Sequence, residues 1–321
     1  MKISIAMTSY NGEKFIKEQL ESFMLQTRQP DELVITDDGS TDSTEEIVKS
    51  FSLLAPFPVV FHRNSTNLGF VKNFEKAMSL CQGDIICLSD QDDVWDKSKL
   101  TVVGQCFSES PGTQLVINDQ FVCDGGLVNY GFTSFEKARR LGLGNDWVIY
   151  GCCTSVRKSF FDLVSPFPDD FPGHDTWLNK LAIYMGVRRI VEQPLQKYRR
   201  HEENTSSTVV SDSGGGGFLH ALRKYGLSDS SDQWNLEIEY LKLYCDRIVK
   251  VAEFGDLNVS DNVISESVRH IEERVDLLEK RIKLVGRGKF WRFFQVCFFW
   301  VQGGYRYNQG WKSAVKDMIR P

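Results

Sequence analysis

Four short apolar runs near the start of this chain each end on a cluster of polar residues, and this pattern constrains the fold most. Ile3-Ser4-Ile5-Ala6-Met7 leads to Thr8-Ser9-Tyr10-Asn11, and Leu33-Val34-Ile35-Thr36 leads to Asp37-Asp38-Gly39-Ser40. Val59-Val60-Phe61 leads to the stretch from Asn64 to Asn67, and Ile85-Ile86-Cys87-Leu88 leads to Asp90-Gln91-Asp92-Asp93. The segments between them read as helices. Phe15, Ile16, Leu20, Phe23 and Met24 recur near helical spacing between Glu13 and Gln26. Asp42 or Ser43 suits the cap of a helix through Lys49, Asn67-Leu68-Gly69 turns into a helix through Ser79, and a further helix runs from Lys97 to Ser108. Gln114 to Phe121 is a fifth strand. Strands alternating with helices predict an α/β fold around a mostly parallel sheet. Ligands of such sheets sit beyond the carboxyl ends of the strands, where one crevice collects all four polar clusters.

The residue types in those clusters suggest chemistry. Three carboxylates within Asp90-Gln91-Asp92-Asp93 repel one another unless a cation or strong donors compensate. Oxygen ligands suit Mg²⁺ or Mn²⁺, and such a cation also binds a diphosphate and offsets the charge of a leaving group. The same run also suits a solvated, helix-capping turn. Asp37 or Asp38 offers an acceptor to a pyrimidine N3–H or a ribose hydroxyl, although Asp, Gly and Ser also favour a simple turn. Tyr10 offers a ring for a base. With Thr8, Asn11, Asn73 and Gln91, these residues form the expected donor-binding set. Asp175, in His174-Asp175-Thr176-Trp177, is either a helix cap or a general base for an acceptor hydroxyl. His201 is a third metal ligand, a phosphate donor or a structural histidine. Arg199 and Arg200 are either diphosphate contacts or surface charge.

In combination and in order, these motifs resemble glycosyltransferase family 2. Gly151-Cys152, His174-Asp175-Thr176-Trp177 and the run from Tyr198 to Ser206 resemble its bacterial rhamnosyltransferase-like branch. The resemblance covers roughly Met1 to Ser207. It implies a GT-A fold, a nucleotide-sugar donor and inversion by single displacement. Asp37 or Asp38 would then bind the nucleoside, and Asp90 and Asp92 would form the Asp-x-Asp pair. Asp92 would be the direct metal ligand and Asp175 the base. Gly151, Cys152, His174, Trp177, Arg199 and Arg200 would face the acceptor or the phosphates. Two positions depart from the pattern: many members have Glu-Asp at His174-Asp175, and the branch commonly has Gly where Glu202-Glu203 stands.

The expected organisation is a catalytic domain over 1–210, with a nucleotide half 1–120 and an acceptor half 121–210, and a helical region over 211–321. The boundary is set at Ser211 to Gly217, which contains four consecutive glycines. Beyond it, Trp234 to Val251 and Ile264 to Leu284 read as helices, the second with an apolar stripe through Ile264, Val268, Ile271, Val275, Leu278 and Ile282. From Arg281 onward nine Lys or Arg stand against one acid, Asp317, while the rest of the chain carries −13. This basic, aromatic tail predicts docking on an anionic membrane face, with packing on the catalytic domain or in a homodimer as the alternative. None of the eight cysteines forms a Cys-x-x-Cys pair, and Met1-Lys2 runs directly into a strand. A cytoplasmic enzyme, peripheral on the inner membrane face, is the expectation. The sequence disfavours other classes. No Gly-x-Gly-x-x-Gly follows the first strand, against a dehydrogenase, and no Gly-rich N-terminal loop with a Lys supports a nucleotidyltransferase. The acidic body argues against nucleic acid. Retention of Asp38, Asp92 and Asp175 argues against an inactive glycan-binding scaffold.

Overall fold

The computed structural model describes residues 1–201, 231–254, 257, 259–286, 289–307 and 310–319. It divides into two compact units, Met1–Asn204 with Phe254–Val259, and Thr205–Glu253 with Ser260–Pro321. The expected boundary at Ser211 to Gly217 lies outside the described residues, as does the part of the family-like motif from Glu202 to Ser206.

In the first unit, β1 (Ile3–Ser9), β2 (Glu32–Asp37), β3 (Val59–Arg63) and β4 (Ile85–Ser89) pair in parallel in the order β3-β2-β1-β4. They are joined by α1 (Ile16–Met24), α2 (Thr44–Ser52) and α3 (Phe70–Leu80). The inner strands are continuous apolar runs because both faces of a parallel sheet are covered by helices. Ile3, Ile5, Met7, Leu33, Ile35, Ile85 and Cys87 are fully buried in one cluster with Ile16, Leu20 and Phe23 of α1 and Val48 of α2. The chain adds β2 and β3 on one side of β1 and then β4 on the other. The strand order therefore reverses at β1/β4, which opens a crevice at their carboxyl ends.

The remainder of the unit comprises β5 (Val94–Trp95), α4 (Lys99–Glu109), β6 (Leu115–Cys123), β7 (Asn129–Thr133), α5 (Ser134–Arg140), β8 (Thr154–Arg157), α6 (Lys158–Val164), α7 (His174–Tyr184) and β9 (Arg188–Arg199). These strands extend the sheet as β4-β8-β6-β9-β5, with β7 on β6. Here the mostly parallel expectation needs correction. β8 runs antiparallel to β4 and β6, β5 antiparallel to β9, and only β6 and β9 are parallel. β7 is antiparallel because it returns from β6 through a tight turn, in which Asp124 Oδ1 accepts from Gly126 N and Val128 N. β9 escapes a sequence reading because Arg188, Arg189, Glu192 and Lys197 interrupt its apolar pattern.

The second unit contains α8 (Ser231–Phe254), α9 (Asp261–Val285), α10 (Lys289–Val301) and α11 (Trp311–Ile319). Ser260 caps α9, its hydroxyl accepting from Val263 N. Ile271 and Leu278 of the expected stripe are buried, and its other members are half-buried. Arg281 and Asp317 form a buried ion pair that Tyr305 Oη joins at 2.9 Å. Among the described residues, no helix is long and apolar enough to cross a membrane.

Candidate active site

The loops after β1, β2 and β3 are knitted into one rim. Asp37 Oδ1 accepts from Ser9 Oγ and Ser40 Oγ, and its Oδ2 accepts from Gly39 N and Ser40 N, all within 3.1 Å. A carboxylate has about four acceptor positions, so Asp37 is filled from within the chain. Asp38 Oδ1 accepts from Asn64 Nδ2 and Leu68 N, and Oδ2 from Gly69 N, all within 2.9 Å. One acceptor position remains on Asp38. Asn73 is buried, bonded to Asn64 Nδ2 and to Thr36 O. Asp37 and Asn73 are thus held within the chain at this rim.

Gln91 and Asn11 are held within the chain as well. The Gln91 amide accepts from Tyr10 N and donates to Tyr10 O, both at 3.0 Å, clamping the end of β1 to that of β4. A Cβ at Gly12 would stand 2.2 Å from Gln91 Oε1, so a larger residue there would displace the end of this clamp. Asn11 takes φ of 47° and its Oδ1 accepts from Thr41 N at 2.9 Å. Tyr10 leaves its ring half exposed, and Thr8 is half-buried beside Thr36 in the β1/β2 register.

The acidic run follows β4. Burial, and then the charges of Asp92 and Asp175, push the Asp90 carboxyl up to about 7. Asp175 comes from the first turn of α7, so two distant segments bring three carboxylates within electrostatic reach. Asp92 Oδ2 lies 2.7 Å from His201 Nε2, and the His201 ring packs on Phe15. Asp93 is fully buried. Its oxygens accept from Arg199 N and Gln196 Nε2, each at 3.0 Å, and fasten β9 beneath the run. Burial and the neighbouring Asp92 and Asp90 hold its carboxyl well above the usual range.

Asp175 is bracketed by two glycines. A Cβ at Gly173 would stand 2.7 Å from Asp175 Oδ1, and one at Gly151 would stand 2.8 Å from His174 Nε2. Asp175 Oδ1 accepts from Thr176 N at 2.7 Å, within the first turn of α7. His174 is 5% exposed, stacks on Phe74 at 4.0 Å, and has no hydrogen-bond partner on either ring nitrogen. Burial lowers its affinity for a second proton, so the ring is neutral near pH 7.

Three expected contacts lie behind the site. Trp177 is core: its Nε1 donates to Val164 O, and its ring meets Phe171 edge-on. Cys152 is buried with its thiol on Gln120 Oε1. Arg199 is a buttress, its guanidinium donating to Asp92 O, Gly125 O and Glu18 with its side chain 2% exposed. The alternation of strand side chains sends Arg199 inward while its neighbour Arg200, half-buried, lies near the Tyr198 ring. Sequence reasoning missed Lys99. This fully buried ammonium donates to Cys152 O and Gln196 Oε1 and sits 3.8 Å from the Trp95 ring. Its positive charge partly offsets that of Asp90. The available signal was a lysine on the same helical face as Val103, Cys106 and Phe107.

Among the described residues, one group of three potential metal ligands stands at the run. Asp90, Asp93 and Cys152 offer atoms within 4.8 Å of one another. That set fits an oxygen-preferring cation poorly, because Asp93 is engaged and Cys152 is kept a thiol by a hydrogen bond with Cys153 and by burial. Asp92 and His201 form a separate carboxylate–imidazole pair, 2.7 Å apart.

The geometry agrees with relationships to known proteins. A model of Glycosyl transferase family 2 matches residues 4–164. The uncharacterized protein Rv1520 of Mycobacterium tuberculosis is 36% identical over 212 residues, 62% of this chain and 59% of that protein. The dTDP-rhamnosyl transferase RfbG of Shigella flexneri is 29% identical over 211 residues, 62% of this chain and 72% of that protein. This chain thus spans about 59% of the length of the first curated relatives it matches. The crystal structure of S. aureus TarS 1-349 in complex with UDP-GlcNAc shares the fold, with a TM-score of 0.59 at 17% identity over 85% of this chain and 72% of that one. With a family match over half its length, and with the family's motifs gathered at the strand ends of this sheet, the chain belongs to glycosyl transferase family 2.

Proposed function

We propose that this chain is an inverting transferase that moves a sugar from a nucleotide-diphosphate donor to a hydroxyl of a growing cell-surface polysaccharide or lipid-linked glycan. The observation that carries this reading is the convergence of Asp90, Asp92 and Asp175, which raises the Asp90 carboxyl. A crevice with that much negative charge suits a cation and the anionic donor it holds. The similarity to RfbG supports dTDP-rhamnose as the donor, with a UDP-hexose as the alternative.

Asp92, with His201 and Asp90, would hold Mn²⁺ or Mg²⁺. When bound, such an ion supplies positive charge against the diphosphate leaving group. Asp38, with its one remaining acceptor position, binds the nucleoside, and the half-exposed Tyr10 ring stacks on the base. Arg200 meets the diphosphate from the end of β9. Asp175 takes the proton of the acceptor hydroxyl as that oxygen bonds to the anomeric carbon, and the bond from that carbon to the diphosphate oxygen breaks. His174 lies beside the base as a neutral imidazole with unmet hydrogen-bonding capacity, and offers a bond to an acceptor hydroxyl. Gly151 leaves the space for that ring. The enzyme acts in the cytoplasm, peripheral to the inner face of the membrane that carries its acceptor.

Calorimetry with nucleotide sugars and Mn²⁺ tests the assignment. Asp92→Ala is expected to weaken metal-dependent donor binding by about tenfold or more, on the order of 1.4 kcal/mol, and to abolish transfer. Asp175→Asn should abolish transfer while donor binding stays close to wild type. Normal metal-dependent binding by Asp92→Ala sinks the metal assignment.

A further inference from the structure

The second unit exposes more aromatic surface than its own packing uses. At about 100° per residue, Arg292, Val296 and Phe299 of α10 fall on one side of the helix. All three are buried, with Val296 and Phe299 in a cluster containing Leu284, Tyr305 and Ala314. The opposite side carries Trp291, Phe293, Phe294, Phe298, Trp300 and Val301, which are 48–81% exposed. Trp291, Phe294, Phe298 and Val301 share one stripe, while Phe293 and Trp300 widen it to about half the circumference. Large apolar side chains scattered singly over a surface need no explanation, but six on one helix face mark a surface that meets another phase or another molecule.

We infer that this face of α10 lies in the interface of an anionic bilayer, with the helix parallel to the membrane plane. Its length and charge exclude crossing, since the helix has 13 residues and includes Lys289 and Arg292. The composition matches an interfacial position, because Trp and Phe settle at the depth of the headgroups and upper acyl chains. Charge selects an anionic lipid: the stretch from Arg281 to Pro321 carries nine basic residues and one acid, and with the buried Arg281–Asp317 pair set aside eight basic residues stand against none, Arg292 among them buried and Arg306 paired with Glu273. The pair, with Tyr305 on the same carboxylate, ties α11 to α9 and supports the platform on which α10 lies. The surface offers a membrane contact to a chain whose described residues include no helix able to cross a bilayer. It deepens the reading of a membrane-borne acceptor and rests on that reading for its purpose alone.

The test uses the full chain and vesicles, with no donor or acceptor. Wild type is expected to sediment with vesicles of phosphatidylcholine and phosphatidylglycerol, to bind pure phosphatidylcholine far less, and to release as salt rises. The triple variant Trp291→Ser, Phe294→Ser, Phe298→Ser changes exposed positions only. It should lose about tenfold or more of its vesicle partitioning while keeping the wild-type circular dichroism spectrum and Mn²⁺-dependent donor binding. Equal sedimentation of a folded variant and wild type overturns the inference. So does a wild-type dimer in light scattering that ignores vesicles and dissociates in the variant, because the face is then a contact between two copies. Failure of donor binding in wild type strikes the transferase reading and leaves the vesicle result standing.

Discussion

Desolvation, and then the charges of Asp92 and Asp175, push the half-buried Asp90 carboxyl up to about 7. The sign of the linkage follows. Its ordinary value is 3.8, so between that and about 7 the folded protein binds a proton that the unfolded chain has released. The metal-free protein therefore loses stability as pH rises through this window. A divalent cation bound at Asp92, as proposed, would favour the ionised form and expel the proton. Titration of Mn²⁺ at pH 6 in two buffers of different ionisation enthalpy should report release of up to one proton, falling towards none at about pH 8.5. Absence of any buffer dependence at pH 6 removes Asp90 from the cation's surroundings. Residue identity made the acidic run legible from sequence, because few arrangements tolerate three adjacent carboxylates without a purpose. Which oxygens are already spent was not legible. Asp37 and Asp38 are adjacent and alike in sequence, yet four intrachain donors fill one and three engage the other.

At the scale of elements, β9 is the feature that the sequence concealed and the site depends on. It lies between β6 and β5, and its end carries Gln196, Arg199 and the approach to His201. Arg199 holds the carbonyl of Asp92 from below while its own backbone amide serves Asp93. Arg199→Ala removes a buried, hydrogen-bonded cation and leaves the Asp92 and Gly125 carbonyls without these donors. It should cost about 3 kcal/mol of unfolding free energy in urea, with donor affinity falling because the acidic run loses its support. Arg200→Ala, at the half-buried neighbour, should change stability by no more than about 0.5 kcal/mol. Equal losses in the two variants contradict the buttress. A strand that buries charged side chains through specific partners has no apolar periodicity to announce it, so β9 left only the adjacent arginines as a trace. Lys99 is the same case on a helix: its stripe is visible, and its burial is decided by Cys152 O, Gln196 and the Trp95 ring arriving from elsewhere.

For the molecule as a whole, two compact units and a basic tail on an acidic body suggest separable stability. Scanning calorimetry of the full chain should resolve two transitions, of which a nucleotide-sugar donor with Mn²⁺ raises only the one belonging to the first unit. Asp317→Ala should lower the other by leaving Arg281 buried without its counter-charge. A single transition that shifts as one with both changes contradicts this division. By itself the sequence determined the α/β alternation, the parallel first half of the sheet, the strand-end clusters and their order, because hydrophobic periodicity and turn chemistry are local properties written in neighbouring residues. Only the tertiary structure decided the antiparallel second half, the meeting of Asp175 with Asp90 and of His201 with Asp92, and the inward turn of Arg199, Cys152 and Trp177. Those outcomes depend on which distant segment supplies the donor, the counter-charge or the covering surface, and no local pattern encodes that partner.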